Sequence, residues 1–70
     1  MVNPIRKIVA SNVRNSRKAL NLSQEALGFR CSMTHVYISK VESGQVSIGI
    51  DNIARIAKAL NLKPYELLKE

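Results

Sequence analysis

Apolar side chains recur along this chain at intervals of three and four residues, a pattern that predicts helices and no strands. Ile5, Ile8, Val9 and Val13 share one face of a segment from about Pro4 to Ala19, with Pro4 at a first-turn position. Asn21 suits the left-handed conformation that stops a helix, and Leu22 then turns toward the core. Ser23 is an N-cap residue type for a short second helix in which Leu27 and Cys31 lie one turn apart. Thr34, another N-cap type, opens a third helix with Ile38 and Val41 on its inner face. Ser32 and Met33 leave room only for a tight turn between these two helices. Gly28 falls where they would cross most closely, and a side chain there would push them apart. Gly44 ends the third helix, and the loop 45–49 follows. Ile53, Ile56, Ala57 and Leu60 mark a fourth helix from about Ile50 to Leu60. Pro64 then opens a short fifth helix, Pro64 to Lys69, carrying Leu67 and Leu68. The expected fold is all-α, five helices in a single domain spanning 1–70, without linker, repeat or low-complexity segment.

A chain of 70 residues has a thin core, so a partner subunit would add useful stability. Leu62, Tyr65, Leu67 and Leu68 exceed what so small a core needs, and the stretch from about 60 to 69 is the expected homodimer surface. No apolar run approaches a membrane span. The N-terminus lacks the apolar stretch and cleavage site of a secretory signal, so a cytoplasmic location is expected. The single cysteine, Cys31, falls on a core position and offers neither a disulfide nor a metal site within the monomer. No His/Cys/carboxylate cluster, phosphate-cradling glycine loop or nucleophile–base pairing suggests an enzyme, and no cofactor is expected.

Charge changes the picture. The net charge is +6, and residues 1–20 hold Arg6, Lys7, Arg14, Arg17 and Lys18 with no acid. The remaining fifty residues hold six basic and five acidic groups and nearly balance. A one-sided basic arm suits a polyanion, because neutralising phosphates releases counterions. A solvated basic helix face, or a basic amphipathic helix on an anionic membrane, would give the same distribution. The third helix helps to choose. Its outer face carries Thr34, His35, Val36, Ser39 and Lys40, short or hydrogen-bonding groups that fit a DNA major groove. Lys40 can donate to guanine O6 or N7, or fall back on a phosphate. His35 can donate to guanine or accept from an exocyclic amine, or simply remain solvated, and Val36 can pack on a thymine methyl.

The segments SQEAL (23–27), VYISKVESG (36–44) and IARIAKALNLKPYELL (53–68), in this order around a helix-turn-helix frame at about 24–43, resemble the phage Cro and repressor class of DNA-binding domains. The likeness runs from about Val13 to Leu68. Within that class it is nearest to small stand-alone regulators, including the controller proteins of restriction-modification systems. The resemblance implies that Gln24 contacts a backbone phosphate, in keeping with the affinity of a helix N-terminus for anions. A first-turn surface glutamine would look the same. It also implies an ion pair between Arg17 and Glu42 that fixes the recognition helix against the first helix and lends an N–H to a phosphate. Arg14 and Ser47 are further phosphate candidates. The ring of Tyr37 suits the core edge while its hydroxyl suits a phosphate. The sequence departs from the class at three places. Ser32 stands where glycine is usual, Ser16 where an apolar residue is usual, and His35-Val36 where controller proteins often have arginine followed by threonine. Their operator therefore does not carry over.

The expected function is sequence-specific transcriptional regulation by a homodimer on double-stranded DNA. Two recognition helices, 34–43, would occupy successive major grooves about 34 Å apart on a partly palindromic operator. Repression by covering a promoter and activation by contact with RNA polymerase both fit. The alternative is a protein-interaction module, antitoxin-like or a bridging factor, using the same fold.

Overall fold

The computed structural model describes residues 4–70. Helices α1 (Pro4–Ala19), α2 (Gln24–Cys31), α3 (His35–Glu42) and α4 (Ile50–Ala59) are followed by one 3₁₀ turn, Pro64–Leu67. The described residues form no strand. The fold is therefore all-α, with four α-helices where five were expected. The last element closes through three-residue steps, Glu66 N–H to Lys63 O at 2.9 Å and Leu68 N–H to Tyr65 O at 3.0 Å. The tighter 3₁₀ turn, common in short pieces, takes the place of the expected α-helix. The Glu66 carboxylate caps it by accepting from the Lys63 N–H at 2.8 Å.

One apolar cluster holds the elements together. Val9 and Val13 of α1 meet Leu27 and Cys31 of α2, Ile38 and Val41 of α3, Ile56, Ala57 and Leu60 at α4, and Leu67 of the 3₁₀ turn. Two expectations are corrected here. Leu67 is fully buried, so it belongs to this core and not to a dimer surface. Leu62 packs partly against the same cluster, which leaves Tyr65 and Leu68 as the exposed apolar groups of that segment. Ile5 is half exposed and Ile8 only partly buried, while Ala10 is buried beside Val9. The buried face of α1 lies further along the helix because its partners meet it at Asn12 and Arg17. Ser16 is only partly buried, and no polar residue among those described is fully buried, so its hydroxyl does not interrupt the core.

Each of the four helices ends in the same way. Asn21, Ser32, Gly44 and Asn61 have φ of 57°, 58°, 74° and 60°. At each, this residue donates to the carbonyl three residues back, and the next residue donates to the carbonyl five residues before it. The longer bonds are Leu22 to Arg17, Met33 to Gly28, Gln45 to Lys40 and Leu62 to Ala57, at 2.8–3.1 Å. This is the Schellman arrangement, which satisfies two carbonyls that a helix end otherwise orphans. Asparagine and glycine enter the left-handed region readily. Serine does so at a cost on the order of 1 kcal/mol, offset here by the two bonds.

Gly28 explains why α2 and α3 pack so closely. A Cβ on this buried glycine would sit 2.5 Å from the Met33 carbonyl oxygen and 3.3 Å from the Thr34 carbonyl carbon, both backbone atoms. Backbone cannot rotate aside as a side chain can, so the inter-helix turn would have to shift. We expect Gly28→Ala to lower stability by about 1–3 kcal/mol in chemical denaturation. Gly49→Ala, with an ordinary φ and open space around it, should change stability by less than about 1 kcal/mol. Equal stability of the two variants would refute the close approach.

Candidate nucleic-acid interface

The exposed face of α3 begins at its cap. The Thr34 hydroxyl oxygen accepts from the Tyr37 N–H at 3.1 Å, starting the helix one residue later. Burial of Ile38 and Val41 then turns that face of the helix inward. Thr34, His35, Val36, Ser39 and Lys40 are all exposed. At about 100° per residue, His35, Val36, Ser39 and Lys40 fall within an arc of about 140°. Their side chains project a donor or acceptor ring, a methyl pair, a hydroxyl and an ammonium from one helical surface.

Beside this arc lies a hollow lined by Arg14, Arg17, Gln24, Ser39, Glu42 and Ser43. Its floor is a bidentate ion pair. Arg17 Nε donates to Glu42 Oε2 at 2.7 Å and Nη2 to Oε1 at 2.9 Å. Arg17 Nη1 donates to the Leu22 carbonyl at 2.8 Å, and Gln24 Nε2 donates to Glu42 Oε1 at 3.3 Å. The two charged side chains are 11% and 4% exposed. The hydrogen bond to Glu42 holds the Arg17 guanidinium above its ordinary pKa, against the opposing effect of burial. The guanidinium retains two N–H bonds beyond these three, and the Gln24 amide retains one. The Ser23 hydroxyl accepts from the Ala26 N–H at 3.0 Å and so caps α2. The other first-turn N–H groups lack helical partners, and their positive end of the helix dipole sits next to exposed Arg14. The hollow thus presents N–H donors and positive charge, the chemistry that suits an anion.

On the other flank, Tyr37 is partly buried against the core while its hydroxyl accepts from Asn52 Nδ2 at 3.4 Å. Asn52 thereby directs the hydroxyl hydrogen elsewhere. Both expectations for Tyr37, a packed ring and an available O–H, are compatible with this geometry. Ser47 is exposed in the loop between α3 and α4.

Residues 13–67 match the helix-turn-helix family. The chain belongs to that family. Control protein C.BamHI of Bacillus amyloliquefaciens is 42% identical over 69 residues, which cover 97% of this chain and 85% of that protein. The crystal structure of the restriction-modification controller protein C.AhdI from Aeromonas hydrophila has a TM-score of 0.88 at 34% identity. The likeness covers 93% of this chain and 98% of that one. The solution structure of the DNA-binding domain of the P22 C2 repressor has a TM-score of 0.83 at 33% identity, covering 87% and 80%. The kinship with repressors and controller proteins suggested by the sequence therefore holds.

In this helix-turn-helix protein several polar residues act without having announced themselves in the sequence. Arg55 of α4 donates from Nη2 to the Cys31 carbonyl at 2.7 Å and to that of Ser32 at 3.4 Å. Arg30 of α2 donates from Nη1 to the Ala59 carbonyl at 3.3 Å. Each helix thus places a cation at the other's C-terminal end, where the dipole favours one. Asn12 and Asn52 were likewise unforeseen, since nothing in their neighbours' periodicity marks them. Cys31 donates to the Leu27 carbonyl at 3.2 Å, and burial pushes its thiol up, so it stays neutral in the core. Among the described residues no group of His, Cys, Asp and Glu could hold a metal ion, and no helix is long and apolar enough to cross a membrane.

Removing Arg17 leaves a nearly buried carboxylate without its cation, which is costlier than removing the pair. We expect Arg17→Ala to destabilise the fold by about 3–5 kcal/mol. Combining it with Glu42→Ala should recover part of that loss, a coupling of about 1–3 kcal/mol in a double-mutant cycle followed by denaturant unfolding. Additive effects would show that the pair contributes no mutual restraint.

Proposed function

We propose that this protein is a sequence-specific transcriptional regulator that binds a partly palindromic operator as a homodimer. The observation that carries the reading is the juxtaposition of the α3 arc with the hollow at the α2 N-terminus. One surface offers groups for base edges and the adjoining one offers Arg14, Arg17 and Gln24 for a phosphate. In such an interface phosphate contacts fix the register while base contacts select the sequence. Lys40 and His35 donate to guanine, Val36 packs on a thymine methyl, and Thr34 and Ser39 hydrogen-bond at the groove edges. Tyr37 and Ser47 reach the backbone on the opposite flank. One recognition helix reads too few base pairs for genomic specificity, so two copies act together. Tyr65 and Leu68, 61% and 42% exposed, supply the apolar surface on which they meet. No catalytic step, cofactor or small-molecule effector enters this reading.

Selection of bound sequences from a random duplex pool tests the assignment of residues. Lys40→Ala and His35→Ala should each change the selected sequence, with about 1–3 kcal/mol lost at the affected base pair. Gln24→Ala should weaken binding on all sequences alike. Selected sequences unchanged in both recognition-helix variants would refute the assignment.

The dimer is tested separately at Leu68. Because this side chain is exposed, Leu68→Glu should keep its helices by circular dichroism and sediment as a monomer. It should also bind a full operator little better than a half-site. A folded Leu68→Glu variant that sediments as the parent does would remove the surface from this role.

A second reading, a module whose main partner is another protein, has one observation in its favour. Phe29 on the outer side of α2 is 88% exposed, beside Leu22 and Ala26. Salt-dependent binding to random duplex DNA separates the two readings, since only a DNA-binding surface releases counterions on association.

A further inference from the structure

Asn12 lies in the middle of α1 and faces the other end of the chain. Its Nδ2 donates to the Leu67 carbonyl at 2.9 Å and to the Lys69 carbonyl at 2.8 Å. The first of these carbonyls ends the 3₁₀ turn, where intrahelical partners run out, and the second lies two residues beyond it. They flank Leu68, one of the two exposed apolar side chains assigned above to the homodimer surface. Five residues along the same helix, Arg17 holds Glu42 at the end of the recognition helix. At 1.5 Å per residue the two attachment points are about 7–8 Å apart on one helix.

We propose that Asn12 is a positioning residue for operator spacing: it ties the surface where two copies meet to α1, which the Arg17–Glu42 pair joins to the base-reading helix α3. The proposal rests on the homodimer reading. The buried Leu67 and the partly buried Leu62 hold the C-terminal segment on the core, but apolar contacts are nondirectional and set its angle only loosely. An amide that donates both of its hydrogens, to carbonyls two residues apart, removes that looseness and gives Leu68 one orientation. Twofold symmetry then doubles any angular error at this surface when it reaches the recognition helices. A single base pair added between half-sites moves one groove by about 3.4 Å and turns it by about 35°. A rigid dimer senses that change and a pivoting one absorbs it.

The test uses the full chain and the operator recovered by selection, with its centre lengthened or shortened by one base pair. The parent should bind the original spacing at least about tenfold more tightly than either altered one. Asn12→Ala, and Asn12→Asp, which keeps the shape but aims acceptors at the carbonyls, should bind all three within about threefold. Helicity and half-site affinity should remain those of the parent, which separates positioning from a structural role. A variant that keeps its helices and half-site affinity but no longer dimerises at any concentration would make Asn12 a residue needed for dimerisation itself and overturn the positioning role.

A folded, dimeric Asn12→Ala variant with the parent's spacing preference would overturn the assignment, and so would a dimeric parent without such a preference. Loss of helicity in both variants would make Asn12 a stability residue and also overturn it. Failure of the homodimer reading has a different signature: the parent itself would sediment as a monomer with and without operator.

Discussion

The carboxylate of Glu42 accepts three hydrogen bonds, two from Arg17 on α1 and one from Gln24 on α2, and it ends the helix that faces outward with the base-reading groups. Three helices are therefore referred to a single pair of oxygen atoms. Apolar packing alone would hold them together without fixing how α3 is turned, because burial of Ile38 and Val41 is satisfied over a range of tilts. Hydrogen bonds are directional and a bidentate guanidinium is planar, so the pair converts a loose contact into a defined angle. Such a pair adds little net stability over an apolar substitute. Its contribution is geometric. The arrangement also offsets a local misfit, since an acid at the C-terminal end of α3 opposes the helix dipole and the Arg17 charge compensates it.

The same division of labour recurs through the molecule. The core is a small set of aliphatic residues and supplies cohesion. The angles between elements come from a few long side chains that reach backbone carbonyls: Arg55 and Arg30 between α2 and α4, and Asn12 between α1 and the C-terminal turn. Of the basic residues behind the formal charge of +6, Arg17, Arg30 and Arg55 are engaged in this way. Arg14 and Lys40 remain exposed on the side proposed to meet DNA. Net charge read from composition thus mixes two populations, one that braces the fold and one that offers a field to a polyanion.

What was legible in the sequence was local. Ser23 and Thr34 as caps, Asn21 and Gly44 as stops and Gly28 at the crossing each depend on a few neighbouring residues, and each stands as expected. The Arg17–Glu42 pair was reached through family likeness and the structure forms it. The errors arose where local pattern stops deciding. Leu67 and Leu68 are adjacent, and in an element of one turn no period says which of them faces inward. Pro64 followed by apolar residues suits a 3₁₀ turn as well as an α-helix. Arg55 and Asn12 escaped because their partners are carbonyls, which every residue has and no sequence pattern marks. Ser32 stands where the class usually has glycine. It adopts the same left-handed cap as the asparagines, with the hydrogen bonds of its helix end intact.

The uniform ending of the four helices constrains how this architecture can change its length. A Schellman step reverses the chain within two or three residues and closes it with its own hydrogen bonds, so α1 joins α2, and α2 joins α3, with no slack in which extra residues could be stored. The stretch 43–49 differs, because it runs on for several residues after its cap before α4 begins. Insertions and deletions among relatives should therefore accumulate there, as should the first cuts of a protease. That stretch directly follows the recognition helix and contains Ser47. Lengthening it would alter the reach of the protein along the duplex while leaving the framework untouched, a route by which new specificities could arise at little cost to folding.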